Sequence, residues 1–406
     1  MKDLLRFSPI FLIYIILYLV FGDSFPVSDR LRYWEYSSNL LEGYFFDSLY
    51  TLWSGPGYPL YIAFLRLVGL SYKPIVFTNI FLLFISNFFF FKNLKKINFR
   101  YPILLTYIFA FWEPVLLYQY LPHLMTEVYV FFLLALLSFL ILHRKNYFFT
   151  GSILGLIILT KPIFLYVVVI CLFVFLLRQL LSKSWSISLN KVLIISIIFC
   201  VPYFIYTYNL TNKYFYLSNA GGLQLYWMTV NDTKLRGDWN GVGHYQQNNP
   251  NLATKEYNNH IKEKYWSFWD DKRNLNWIEH DSVLKQISLE NILNNKFNFF
   301  KNWINNFGRL FFGYPFSFHT PNWQHILITI KQSFYLPFIF SMIFIGLFKF
   351  KKFNHEFQFI YLLVIVYIGG ISLMSAYPRF LFVLNPLIWT LGAFFFKNLK
   401  ISLNDE

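Results

Sequence analysis

Ten apolar runs recur along nearly the whole 406-residue chain, at 5–22, 73–91, 101–119, 124–142, 147–160, 162–178, 191–208, 326–348, 357–375 and 380–396. A helix needs about 20 apolar residues to cross the hydrocarbon core, with roughly 17 as a lower limit. Lipid offers no partners to the backbone, so each segment must satisfy its own N–H and C=O groups. The pattern predicts an all-α polytopic membrane protein. Composition agrees, with 56% apolar and only 14% charged residues and a mean hydropathy of +0.44, far from soluble usage. The 51 Phe and 30 Tyr suit rings that face acyl chains or sit in the headgroup belt.

A formal charge of +15 would fit nucleic acid if it formed one patch. Here Lys and Arg sit in short runs between apolar segments, which is the positive-inside pattern, and no nucleic-acid partner is expected. Cys171 and Cys200 both lie inside apolar runs, so they carry no information on redox compartment. Met1-Lys2-Asp3-Leu4-Leu5-Arg6 precedes an apolar stretch without a small-residue cleavage site. It reads as a retained first span with a cytoplasmic N-terminus.

Tyr58–Leu70 is apolar but short, and it opens with the helix-breaking Gly55-Pro56-Gly57-Tyr58-Pro59. Treating it as interfacial or re-entrant leaves every basic loop on the cytoplasmic side: Lys92 to Arg100, His143-Arg144-Lys145, Arg178 to Lys191, Lys349 to Lys352 and Lys397 to Lys400. The expectation is therefore about 10 spans, or 11 if 58–70 crosses. Residues 22–57 form a first external loop with interfacial helices, and 209–325 a larger external soluble segment. The chain divides into an N-terminal membrane module (1–208), the external segment (209–325) and C-terminal membrane helices (326–406). Within the external segment, 254–273 and 281–307 look helical and amphipathic, while Asn219-Ala220-Gly221-Gly222 and Asn240-Gly241-Val242-Gly243 read as turns.

Ionisable groups at span mouths are costly and carry functional hypotheses. Asp29, just past the first span, has the chemistry of a general base on a hydroxyl; equally, Ser28 or Asp29 suits an N-cap. Glu127, at the mouth of 124–142, is a second carboxylate able to position an acceptor or to hold a divalent metal with His123. Its alternative is a first-turn acid favoured by the helix dipole. Lys161 and Arg379 suit a lipid phosphate, arginine by bidentate contact and lysine as a point charge, or else snorkel to headgroups. No phosphate-binding nucleotide loop, His-Glu-x-x-His pair or dinucleotide fingerprint is present, so ATP-driven work within this chain is not expected. Tryptophans 227, 239, 266, 269, 277 and 303 suit either glycan stacking or a belt and small core.

Taken in order, these segments resemble the GT-C class of polytopic glycosyltransferases, especially bacterial relatives of protein O-mannosyltransferases and lipid A aminoarabinose transferases. The likeness is carried by Asp29, Tyr33 and Gly43; by Gly55-Pro56-Gly57-Tyr58-Pro59-Leu60; by Thr126-Glu127; and by Gly155 with Leu159-Thr160-Lys161-Pro162. It continues through Pro202-Tyr203, Asn209, Asn219-Ala220-Gly221-Gly222-Leu223, Pro378-Arg379-Phe380 and Pro386. Each motif is weak, and it is their collinearity over most of 22–390 that carries the likeness. Arg30 stands where the family often has a second acid, and Pro-Gly-Tyr-Pro replaces the usual Pro-Pro.

The resemblance implies a polyprenyl-phosphate-linked sugar donor and a lipid, glycan or protein acceptor. It implies inversion in one step at the outer face of a bacterial inner (plasma) membrane. In that scheme Asp29 is the base and Glu127 a second acid. Lys161, Arg379 and Arg30 hold the donor phosphate, and Tyr33 and His123 position the acceptor. No cofactor is required, and a divalent metal is left open. The alternatives are a polysaccharide polymerase or ligase, which would depend on external arginines, and a lipid or solute transporter, which would show midplane charges and paired helix breaks.

Overall fold

The computed structural model describes residues 2–43, 52–182, 187–239, 255–272, 274–314, 316–317, 322–374 and 376–397. Among them the secondary structure is helical throughout, without a strand. The first half runs α1 (Lys2–Leu5), α2 (Ser8–Phe21), α3 (Asp29–Leu41), α4 (Gly57–Leu67), α5 (Tyr72–Ile97), α6 (Pro102–Phe111), α7 (Pro114–Tyr120), α8 (Thr126–Leu142), α9 (Tyr147–Thr160), α10 (Ile163–Ser182) and α11 (Ile187–Thr211). The 209–325 segment holds α12 (Gly221–Thr229), α13 (Lys255–Asp271), α14 (Trp277–Asn294) and α15 (Lys296–Phe312). The chain ends with α16 (Trp323–Lys349), α17 (His355–Ser372), α18 (Pro378–Phe382) and α19 (Asn385–Phe396).

Five helices, α5, α10, α11, α16 and α17, are long and apolar enough to cross a membrane. The 101–119 run is not one straight helix, because Glu113-Pro114 breaks it into α6 and α7, bent by 60°. Proline lacks the N–H that would continue the ladder, and it biases the preceding residue out of the helical region. Counted as one bent span, that pair is the sixth. Four further apolar helices, α2, α8, α9 and α19, are shorter, so by length and apolarity the described helices supply five or six spans where about ten were expected. With 11 residues, α4 is only about 16 Å long, half the hydrocarbon thickness.

Two ends of the bundle differ in chemistry. At one, Asp3 meets Lys92 and Lys95 at 3.2 and 3.1 Å, Arg144 meets Glu356 at 2.7 Å, and Arg178 donates to Gln358 at 2.9 Å. These contacts gather the described parts of four basic connections beside the N-terminus. Glu127 opens α8, whose other end leads into Arg144, so the span-mouth residues singled out above lie at the opposite end. Helix α9 packs along α11 where Gly151 and Gly155, a small-xxx-small pair, let Ile195 and Phe199 approach closely.

The 209–325 segment has its own core, with Trp227, Trp269, Tyr226, Tyr265, Ile261 and Leu284 buried together. Trp227 and Trp269 are therefore interior residues and not a glycan-stacking surface, while the Trp303 indole donates to Ser372 Oγ at 2.8 Å. The helix expected over 254–273 corresponds to α13. The one expected over 281–307 is two helices, divided at Asn295, whose side chain accepts from the Asn298 N–H and caps the second. Gly221 and Gly222 begin α12 rather than forming a turn. The Asn240-Gly241-Val242-Gly243 turn lies outside the described residues.

Asp232, in the connection after α12, clamps α13 by accepting from Lys264 and Tyr265 at 2.9 Å and lying 2.7 Å from His260 Nε2. Burial alone would raise its pKa; the hydrogen bonds from Lys264, His260 and Tyr265 outweigh that and hold it at about 2. A depressed carboxylate contributes stability that is complete above the unfolded value near 4 and is lost as pH falls through the folded one. Thermal unfolding followed by tryptophan fluorescence is expected to show this segment weakening between about pH 4 and pH 2. The Asp232→Asn variant is expected to lose about 1–3 kcal/mol at pH 7 and to be flatter in that window.

Candidate functional site

Two proline-marked breaks and the start of α3 bring the span-mouth charges together. Lys161 precedes Pro162 and is accordingly extended, with φ −127° and ψ 95°. This ends α9, frees the lysine from the helix surface, and lets its ammonium lie 3.1 Å from Glu127 Oε1. Glu127 is in the first turn of α8, almost wholly buried, and Thr126 Oγ1 donates to its other oxygen at 3.2 Å. Pro378 starts α18 in the favoured first-turn position and delivers Arg379 beside the pair. Glu127 is the strongest charged neighbour acting on Arg379.

The segment carrying Lys161 is held by Gly55 and Gly57. A Cβ on Gly55 would lie 2.8 Å from the Leu159 carbonyl carbon, and one on Gly57 would lie 2.8 Å from the Thr160 nitrogen. Only glycine permits that backbone approach. Two of the motifs that carry the family resemblance are thus in direct contact.

Asp29 opens α3. Ser28 holds the N-cap position with φ 54° and makes no side-chain cap bond, so the capping alternative does not describe this helix start. One Asp29 oxygen is 3.1 Å from Arg32 Nη2, and the other is 3.9 Å from Arg379 Nη1. The Asp29 side chain is 40% exposed and that of Arg379 34%, whereas Glu127 is 2% exposed. Asp29 is thus the carboxylate an incoming group can reach. The Arg379 Nε–H is buried without a hydrogen-bond partner among the described residues. Among the described residues, Arg32, Lys161 and Arg379 gather around the carboxylates of Asp29 and Glu127. Tyr33, one turn from Asp29, packs edge-on against Tyr58 at 5.4 Å, and Tyr58 lies 5.5 Å from the Tyr129 ring, which links α3 through α4 to α8.

Arg30 and His123 are not part of this group. Arg30 pairs with Asp23, and the same Asp23 oxygen lies 2.9 Å from His123 Nδ1. Burial, aided by the Arg30 charge, holds the His123 pKa down at about 4, so the ring is neutral at pH 7. His123 is accordingly turned to Asp23. Among the described residues no three His, Cys, Asp or Glu side chains gather as a metal site.

Sequence reasoning passed over Arg32, although a position three residues after Asp29 on a helix is the natural partner. It also passed over Asp23, which ties the end of α2 to α3 and to the α7–α8 connection. A third omission is Glu113, at the α6–α7 break, which pairs with Lys331 of α16 while Asn385 Nδ2 lies 3.4 Å from its other oxygen. A charged pair inside apolar helices was visible in Trp112-Glu113-Pro114 as an acid within a span. It borders a small cavity lined by Tyr14, Asn87 and Asn385.

No protein family and no curated protein matches the chain.

Proposed function

We propose that this protein is an inverting glycosyltransferase that moves a sugar from a polyprenyl-phosphate donor to a lipid, glycan or protein acceptor at the outer face of a bacterial inner membrane. The observation that carries the reading is the reach of Asp29: a partly exposed carboxylate within 3.9 Å of Arg379, which is itself partly exposed at the same mouth. In the reaction Asp29 takes the proton of the acceptor hydroxyl as its oxygen bonds to the anomeric carbon. The bond from that carbon to the phosphate oxygen breaks, and the electron pair leaves with the lipid phosphate. Arg379 and Lys161 neutralise the charge that develops there. The donor is already activated, so the site needs no nucleotide.

Glu127 keeps Lys161 charged and placed, which makes it a positioning residue in this scheme. Tyr33 fixes α3 against α8, and thereby the aim of Asp29. Arg30 and His123, expected from the sequence to serve phosphate and acceptor, instead brace the loop that carries Asp29 through their contacts with Asp23.

The reading requires the Asp29 end of the bundle to face outward and the basic end to face the cytoplasm, as the positive-inside rule dictates. A cysteine at position 29 is expected to react with a membrane-impermeant maleimide in intact cells. One at position 96 is expected to react only after permeabilisation. The reverse labelling would remove the proposal, because the donor sugar would then be on the wrong side of the base.

A further inference from the structure

Helix α15 is amphipathic in the inverse sense for a soluble domain. Its polar stripe faces the protein: Asn298 donates to the Val230 carbonyl at 3.1 Å, Asn302 to Met228 at 3.0 Å, and Asn306 to Ser372 at 2.7 Å. One turn further, Arg309 donates to the Arg236 carbonyl at 2.9 Å and pairs with buried Asp238 at 3.4 Å. These residues read backbone carbonyls of the α12 connection and the end of α17, which fixes the rotation of the helix.

The opposite stripe, Phe297, Phe300 and Ile304, points away from the protein, with Phe297 78% exposed. Leu293, at the end of α14, extends it at 70% exposure. Lys296 and Lys301 are exposed on the same helix. A protein whose polar groups are spent inward and whose aromatic rings are turned outward has an apolar medium on that side.

The stripe is also continuous with the lipid-facing belt. Two turns along, Phe307 and Phe311 on the same face enter the core of the membrane bundle, and Phe307 packs beside Phe340 of α16. That helix is one of the five long enough to span, and it exposes Phe334 and Phe344.

We propose that α15 and the end of α14 lie in the bilayer interface as an in-plane anchor. Phe297, Phe300 and Ile304 sit among acyl chains, and Lys296 and Lys301 reach anionic phospholipid headgroups. In-plane helices with this division of residues bind by apolar burial plus attraction to anionic lipid, and lysine stems extend to the headgroups while their chains cover apolar surface. The anchor holds the external segment against the membrane beside α16. It rests on the membrane-crossing fold and is independent of the reaction proposed above.

The full chain in nanodiscs of phosphatidylcholine and phosphatidylglycerol tests it, with spin labels on Phe297→Cys, on Ile304→Cys and, as a control, on Glu263→Cys of the exposed face of α13. Positions 297 and 304 are expected to be several-fold more accessible to oxygen than to a water-soluble nickel chelate, relative to position 263. Preference for nickel at 297 and 304 would put the stripe in water and overturn the proposal. Exclusion of both reagents would mean a protein partner or a second copy covers it, which overturns it equally. Two labelled positions, both exposed, guard against one substitution disturbing the fold.

Discussion

The Asp29→Asn variant is expected to transfer sugar about 10²- to 10⁴-fold more slowly than the parent protein, the range for loss of a positioned general base. The amide keeps the size and polarity of the side chain, so the variant should insert and melt like the parent. In the proposed scheme the donor is bound by Arg379 and Lys161, and the loss is therefore expected in kcat with little change in the donor KM. A rate loss in the variant matched by an equal loss of donor binding would mean that Asp29 serves only to hold Arg379. The Asp29→Glu variant, which keeps the charge at the wrong reach, should recover part of the rate. These comparisons separate a base from a brace.

The second large effect is at Glu127. Replacing it with Ala leaves the Lys161 ammonium in a site where its side chain is only 15% exposed. Breaking a buried pair from one side costs about 3–5 kcal/mol, mostly the penalty of the stranded charge. Thermal melting in detergent should show that loss. Adding Lys161→Met to Glu127→Gln removes both charges while keeping their volumes, and it is expected to restore most of the stability without restoring transfer. Recovery of transfer in the double variant would show the pair to be structural glue alone.

The membrane-crossing helices were legible because their signal is one-dimensional: length and apolarity need no knowledge of neighbours. The Lys161-Pro162 break was legible for the same reason, since proline acts on its own backbone. The bend at Glu113-Pro114 carried that signal too, but the hydropathy of 101–119 masked it. Partner choice was not legible. Beyond the i, i+3 pairing of Asp29 with Arg32, the docking of α3 decides that Arg30 meets Asp23. The meeting of Asp29 with Arg379, 350 positions along the numbering, is set by how α18 docks. The tryptophans mislead for a related reason, because composition alone does not separate a ring in a small core from a ring on a binding surface, and Trp227 proves to be the former.

The most direct test of the central claim is transfer by the purified wild-type chain in proteoliposomes, offered a panel of radiolabelled polyprenyl-phosphate sugars and membrane glycolipid or glycoprotein acceptors. The account predicts labelled product from at least one donor, with inverted anomeric configuration and one polyprenyl phosphate released per sugar moved. No transfer from any lipid-linked donor, or transfer from a nucleotide sugar instead, would contradict it.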